Sequence, residues 1–96
     1  MAYVLARVEL HDAAGPDYER LHVTMLAAKF SRSYQKGQQA YWLPIGEYCS
    51  FDYEDASIAL TAAKVAARKV STDFEITLLL GDAENIRDYN LREKNS

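Results

Sequence analysis

A single cysteine, Cys49, leaves the chain unable to close an internal disulfide, and no Cys/His cluster marks a zinc site. There is no Gly-rich phosphate loop, no nucleophile elbow and no Cys-X-X-Cys pair, which removes the common signatures of nucleotide, acyl-transfer and thiol-redox chemistry. Long hydrophobic runs are missing too. The apolar start, Met1 to Ala6, is cut by Arg7 and Glu9, is too short for a membrane span, and lacks the basic leader and cleavage pattern of a signal peptide. A cytoplasmic protein with no membrane partner is expected. No internal repeat or low-complexity tract breaks the chain.

What is present fits one small domain. Its 96 residues are near the lower end of independent folding, and 49% hydrophobic with 26% charged residues is ordinary for a globular chain. A net charge of −3 argues against a protein that coats nucleic acid broadly, and DNA is not expected as a partner. The charges are nevertheless segregated. Residues 20–46 hold Arg20, Lys29, Arg32 and Lys36 and no acid; residues 47–55 answer with Glu47, Asp52, Glu54 and Asp55. Such blocks build either a local positive surface or, once folded together, a mixed exterior.

Tyr3 to His11 alternates, with Val4, Ala6, Val8 and Leu10 on one face and Tyr3, Leu5, Arg7, Glu9 and His11 on the other. A turn holding Gly15 and Pro16 leads into a helix over about 16–29, with Tyr18, Leu21, Met25 and Ala28 as its apolar stripe. The stretch Phe30 to Pro44 reads as two short strands about a tip at Lys36-Gly37-Gln38. The second runs on to about Phe51 as a bent edge strand, since Pro44 and Gly46 interrupt it. Asp55 caps a helix over 56–70 whose expected buried face is Ile58, Ala62, Val65 and Ala66. Asp73 to Leu80 alternates as the last strand, with Phe74, Ile76, Leu78 and Leu80 on one side. Residues 1–80 form the domain, and residues 81–96 are a polar tail or short helix carrying Ile86 and Tyr89.

The order βαββαβ, with right-handed crossovers, predicts an α+β ferredoxin-like sandwich: a four-stranded antiparallel sheet with two helices on one face. One sheet face is then left without helices, and it meets solvent, a second copy or a ligand. A homodimer is expected, because an open face and a long edge strand are surfaces that proteins cover. The polar hairpin suits single-stranded RNA: Arg20, Arg32 and Lys36 for phosphates, Tyr34, Tyr41 or Trp42 for stacking on a base. The aromatic run of RNA-recognition domains is absent. Two registers fit the hairpin, one grouping Phe30, Arg32 and Tyr34, the other Ser31, Ser33 and Gln35.

RNA cleavage needs a base for the 2′-hydroxyl, an acid for the leaving oxygen and a cation for the phosphorane. The candidates are His22, Glu9 and His11, and cleavage by this set requires Glu9, His11, His22 and Arg32 to converge. Glu9 and His11 share a strand face, whereas Arg20 and His22 point about 160° apart on their helix. Glu9 and Asp12, with a second copy, form a magnesium alternative; no metal or other cofactor is otherwise assigned.

With this pattern in place, "YVLARVEL" at the start, "KFSRS" after the first helix, "DASIALTAAKV" and "DFEITLL" resemble the GhoS family. Those are small ferredoxin-fold endoribonucleases related in fold to the CRISPR-associated Cas2 nucleases. The resemblance spans most of residues 3–80 and implies an antitoxin that cuts a toxin's messenger RNA. It places Glu9 at the family's first-strand acid and Arg20 and His22 at its basic helix positions, with histidine standing where the family has arginine. The segment 41–48, with "LPIGEY", departs from the family. The expected function is a GhoS-like RNA-binding endoribonuclease acting on single-stranded mRNA. The alternative is a non-catalytic ferredoxin-like dimeric module for a protein or nucleic-acid partner, of phage or plasmid type.

Overall fold

The computed structural model describes residues 2–94. Asn95 and Ser96, the end of the expected tail, lie outside the described residues. In chain order the elements are β1 (Ala2–Leu10), α1 (Gly15–Ala27), β2 (Ser33–Lys36), β3 (Gln39–Trp42), β4 (Glu47–Ser50), α2 (Ala56–Arg68), β5 (Phe74–Asp82) and a 3-10 turn (Ala83–Asn85).

β1 is the central strand. It pairs antiparallel with β4, from Val4 opposite Ser50 to Arg7 opposite Glu47, and with β5 from Ala2 opposite Asp82 to Leu10 opposite Phe74. Alternation fixes its faces: Val4, Ala6, Val8 and Leu10 are buried under the helices with Leu21 and Met25 of α1, as the periodicity requires. Ile76, Leu78 and Leu80 of β5 pack beside them, so both helices cover the same sheet face. α1 opens where expected. The Asp17 carboxylate accepts the Ala14 amide at 3.0 Å, and Pro16 sits in the first turn, where no amide donor is needed. Asp55 caps α2, accepting from the Ser57 and Ile58 amides at 2.8 and 3.0 Å.

The buried face of α2 differs from the expected one. Ala66 is buried and Ala62 packs on the core as expected, but Ile58 and Val65 are 62% and 55% exposed, and Ala59, Ala63 and Ala67 take their place. Both stripes satisfy helical spacing. Methyl side chains win because they let the helix backbone approach the sheet more closely than Ile and Val would.

The four-stranded sheet is also corrected: the strands form a three-stranded sheet, ordered β4-β1-β5, and a separate two-stranded ribbon, β2-β3. The expected long strand over 39–51 is broken at Pro44–Gly46, where the Glu47 amide closes a turn onto the Pro44 carbonyl at 2.9 Å. Gly46 has φ +88° and its carbonyl accepts from Val8 N–H at 2.7 Å; a Cβ there would stand 2.8 Å from the Val8 oxygen. Proline and a positive-φ glycine two residues apart thus turn one strand into two. The ribbon touches the main sheet through Ser31 and Cys49, which exchange two backbone hydrogen bonds of 2.8 Å. Its tip is the expected one, with Lys36 opposite Gln39 and Gly37 at φ +64°.

The tail has structure neither fully helical nor frayed. After the 3-10 turn, capped by the Asp82 carboxylate on the Glu84 amide at 3.0 Å, the chain crosses to the ribbon. There Trp42 N–H donates to the Arg92 carbonyl at 2.9 Å and Lys94 N–H to the Ala40 carbonyl at 2.8 Å. Ile86 and Leu91 pack with Leu5, Tyr41 and Leu43 around buried Tyr3, Tyr34 and Cys49. The sheet face expected to be open is therefore covered over Tyr3 and Leu5 and bare toward Arg7, Glu9 and Leu79. No helix among the described residues is long and apolar enough to cross a membrane.

Candidate nucleic-acid interface

The candidate residues fall into three groups. Where α1 packs on β4, His22 Nδ1 lies 2.7 Å from the Tyr48 hydroxyl, the rings 5.8 Å apart. Tyr48 is fully buried, and burial pushes its hydroxyl well above the usual phenol range, opposed by the charge of Arg32. Half-buried His22 is made less basic, first by burial and then by Arg32, with Glu19 acting the other way. The Arg32 guanidinium stands 4.9 Å from the Trp42 ring centroid, and the Lys94 ammonium 5.1 Å from it. One indole thus gathers two cations from segments 62 positions apart in the sequence, each held by the ring quadrupole.

Second is the bare end of the outer sheet face. Glu9 alternates with Val8 and Leu10 and so points away from the helices. His11 Nδ1 is 2.7 Å from Asp73 and its Nε2 3.3 Å from Glu75. Hydrogen bonding to Asp73 leads the causes that make His11 more basic than usual. Asp12, the other residue of the magnesium alternative, does not join the donor cluster of Glu9, His11 and Glu75.

Third is the ribbon and tail. Tyr34 is buried and donates its hydroxyl to the Asp88 carboxylate; burial, then that bond, raises its pKa to about 12. Lys36 Nζ reaches the same carboxylate at 3.4 Å. Tyr34 is therefore held as a packed, tethered ring, and it is Trp42 that lies at the cationic edge. Arg20 pairs with Asp17 on exposed helix surface.

The four residues that the cleavage scheme requires together are not brought together. His22 meets Arg32 on the helix side of the sheet, while Glu9 meets His11 on the other side. Sequence reading missed Tyr48, Lys94, Asp88 and Glu75. Strand alternation carried a signal for Glu75, since counting back from Phe74 opposite Leu10 puts it across from Glu9. Lys94 had no signal, because nothing local ties a polar tail to a ribbon fifty residues earlier.

Fold and site together define an α+β protein with two helices on one face of an antiparallel sheet and a cationic–aromatic edge. Comparison with protein-family models, curated proteins and solved structures returns no match.

Proposed function

We propose that this protein is a ferredoxin-like module whose second edge strand has peeled into the β2-β3 ribbon, and that it binds single-stranded RNA at the His22–Arg32–Trp42 edge. The observation that carries the reading is the pair of cations, Arg32 and Lys94, against Trp42. Guanidinium planes and indoles both stack on unpaired bases, and the two charges neutralise neighbouring phosphates. With the Tyr48 hydroxyl donating to His22 Nδ1, the ring carries its proton on Nε2. A neutral Nε2–H is a donor for a phosphate oxygen or a base edge.

Filter binding on an A/U-rich single strand tests this. Wild type binds, affinity falls with salt, and Arg32→Ala lowers the slope of log K against log salt by about 0.7. Trp42→Ala costs about 1–3 kcal/mol of affinity. Failure of wild type to bind at low salt rejects the reading.

The second reading is a GhoS-like endoribonuclease, favoured by the depressed basicity of His22 beside Arg32. In the opposite tautomer, with Nδ1–H donating to Tyr48, Nε2 is a base for a 2′-hydroxyl and Arg32 a cation for the phosphorane. Glu9 and His11 take no part within one chain. Cleavage of the same RNA, lost in His22→Ala with binding retained, selects this reading; binding without cleavage selects the module. Either form is proposed to be a homodimer through β5, an edge strand of nine residues with Leu79 67% exposed. Light scattering showing a monomer at high micromolar concentration rejects the dimer.

A further inference from the structure

Glu9 and Glu75 are directly opposite each other in the β1–β5 ladder and project on the outer sheet face, where two like charges repel. His11, two residues beyond Glu9, brings its imidazole to the same spot. One donor atom from each of Glu9, His11 and Glu75 lies within 4.8 Å of the others. The separation of His11 Nε2 from Glu75 Oε1 is 3.3 Å. That is the edge of a tetrahedron whose centre is about 2.0–2.1 Å from each corner, the zinc–nitrogen and zinc–oxygen distance.

The histidine is also set up from behind. Its Nδ1 lies 2.7 Å from the Asp73 carboxylate, and its backbone N–H donates to the Asp73 carbonyl at 3.0 Å. A carboxylate on Nδ1 fixes the tautomer that leaves the Nε2 lone pair facing Glu75, the arrangement found behind metal-binding histidines. Two turn-proximal residues, His11 and Asp73, therefore orient one ring toward the Glu9 and Glu75 carboxylates. Asp73 is a positioning residue and would not touch the ion.

We propose that Glu9, His11 and Glu75 form a zinc-binding site, open to solvent on its fourth side. The mixed nitrogen–oxygen donor set favours a borderline transition ion over magnesium, which prefers oxygen donors alone and retains its waters. The proposal is independent of the RNA-binding reading, since the site is on the other side of the sheet from His22 and Arg32.

Isothermal titration of the chelator-treated protein with zinc chloride is the test. One zinc ion per chain is expected, with magnesium giving no comparable heat. Glu75→Gln and His11→Ala each abolish saturable binding. Asp73→Asn keeps the stoichiometry and weakens affinity roughly 10- to 100-fold. Cobalt added in place of zinc should give visible d–d bands that Glu75→Gln removes. Circular dichroism confirms that the variants fold, as expected for the exposed Glu75 and Asp73 and the half-buried His11. Absence of zinc binding to wild type, binding that survives both Glu75→Gln and His11→Ala, or equal binding of magnesium each overturns the proposal.

Discussion

His22 Nδ1 and the Tyr48 hydroxyl meet at 2.7 Å across the boundary between α1 and the sheet. Tyr48 stands opposite Ala6 on β1, so this one bond ties the candidate interface to the centre of the core. A buried phenol needs a partner, and neutral imidazole is an acceptor only while Nδ1 is unprotonated.

Stability should therefore depend on pH through His22. Burial and Arg32 hold its folded pKa below the unfolded value of about 6.5, against Glu19. Between the two values the unfolded chain binds more protons, so stability rises with pH there. The contribution is complete above about pH 6.5 and is lost as pH falls toward the folded pKa. Urea unfolding of wild type and His22→Asn at several pH values checks it. The difference between the two should vary below pH 6.5 and be flat above; a constant difference rejects the assignment.

The alanine face of α2 makes a second prediction. Ala63 is fully buried against the sheet, whereas Ile58 and Val65 face outward. Ala63→Leu forces an isopropyl group into a packed layer and should cost about 1–3 kcal/mol. Ile58→Ala and Val65→Ala should stay within about 0.5 kcal/mol of wild type. Denaturant midpoints measure all three. A large loss from Val65→Ala with a neutral Ala63→Leu would reinstate the face expected from hydrophobicity alone.

Legibility in the sequence followed the strength of local alternation. β1 and β5 are nine-residue strands with clean period-two patterns; Val4, Ala6, Val8 and Leu10 are readable one by one, and β5 is readable as two alternating sets. Asp55 and the tip at Gly37 were readable because caps and tight turns have local chemistry. The face of α2 was not, since ranking by hydrophobicity prefers Ile58 and Val65 when close approach prefers alanine. Pro44 and Gly46 mark a bend in the sequence, but its consequence depends on Gly46 packing against Val8, a contact 38 positions away. Of the candidate site, Glu9 with His11 followed from strand geometry. The meeting of Arg32, Trp42 and Lys94 depends on where the tail docks, which no local pattern specifies.

That docking gives the last prediction. Cys49 is 2% exposed, its thiol donates to the Ser33 carbonyl at 3.2 Å, and burial pushes its pKa up to about 11. Such a thiol is unreactive until the structure around it opens. The tail closes this region, and its clasp is Asp88, which accepts from Tyr34 and pairs with Lys36. Labelling of Cys49 by a thiol reagent under native conditions then reports opening of the tail. Tyr34→Phe removes one hydrogen bond, worth about 0.5–1.5 kcal/mol, and should speed labelling about 2- to 12-fold. Asp88→Ala releases both partners and should speed it further, while Arg20→Ala, which breaks only the exposed ion pair with Asp17 on α1, should leave the rate unchanged. Equal rates for wild type, Tyr34→Phe and Asp88→Ala would mean that Cys49 is exposed only by global unfolding and that the tail is no clasp.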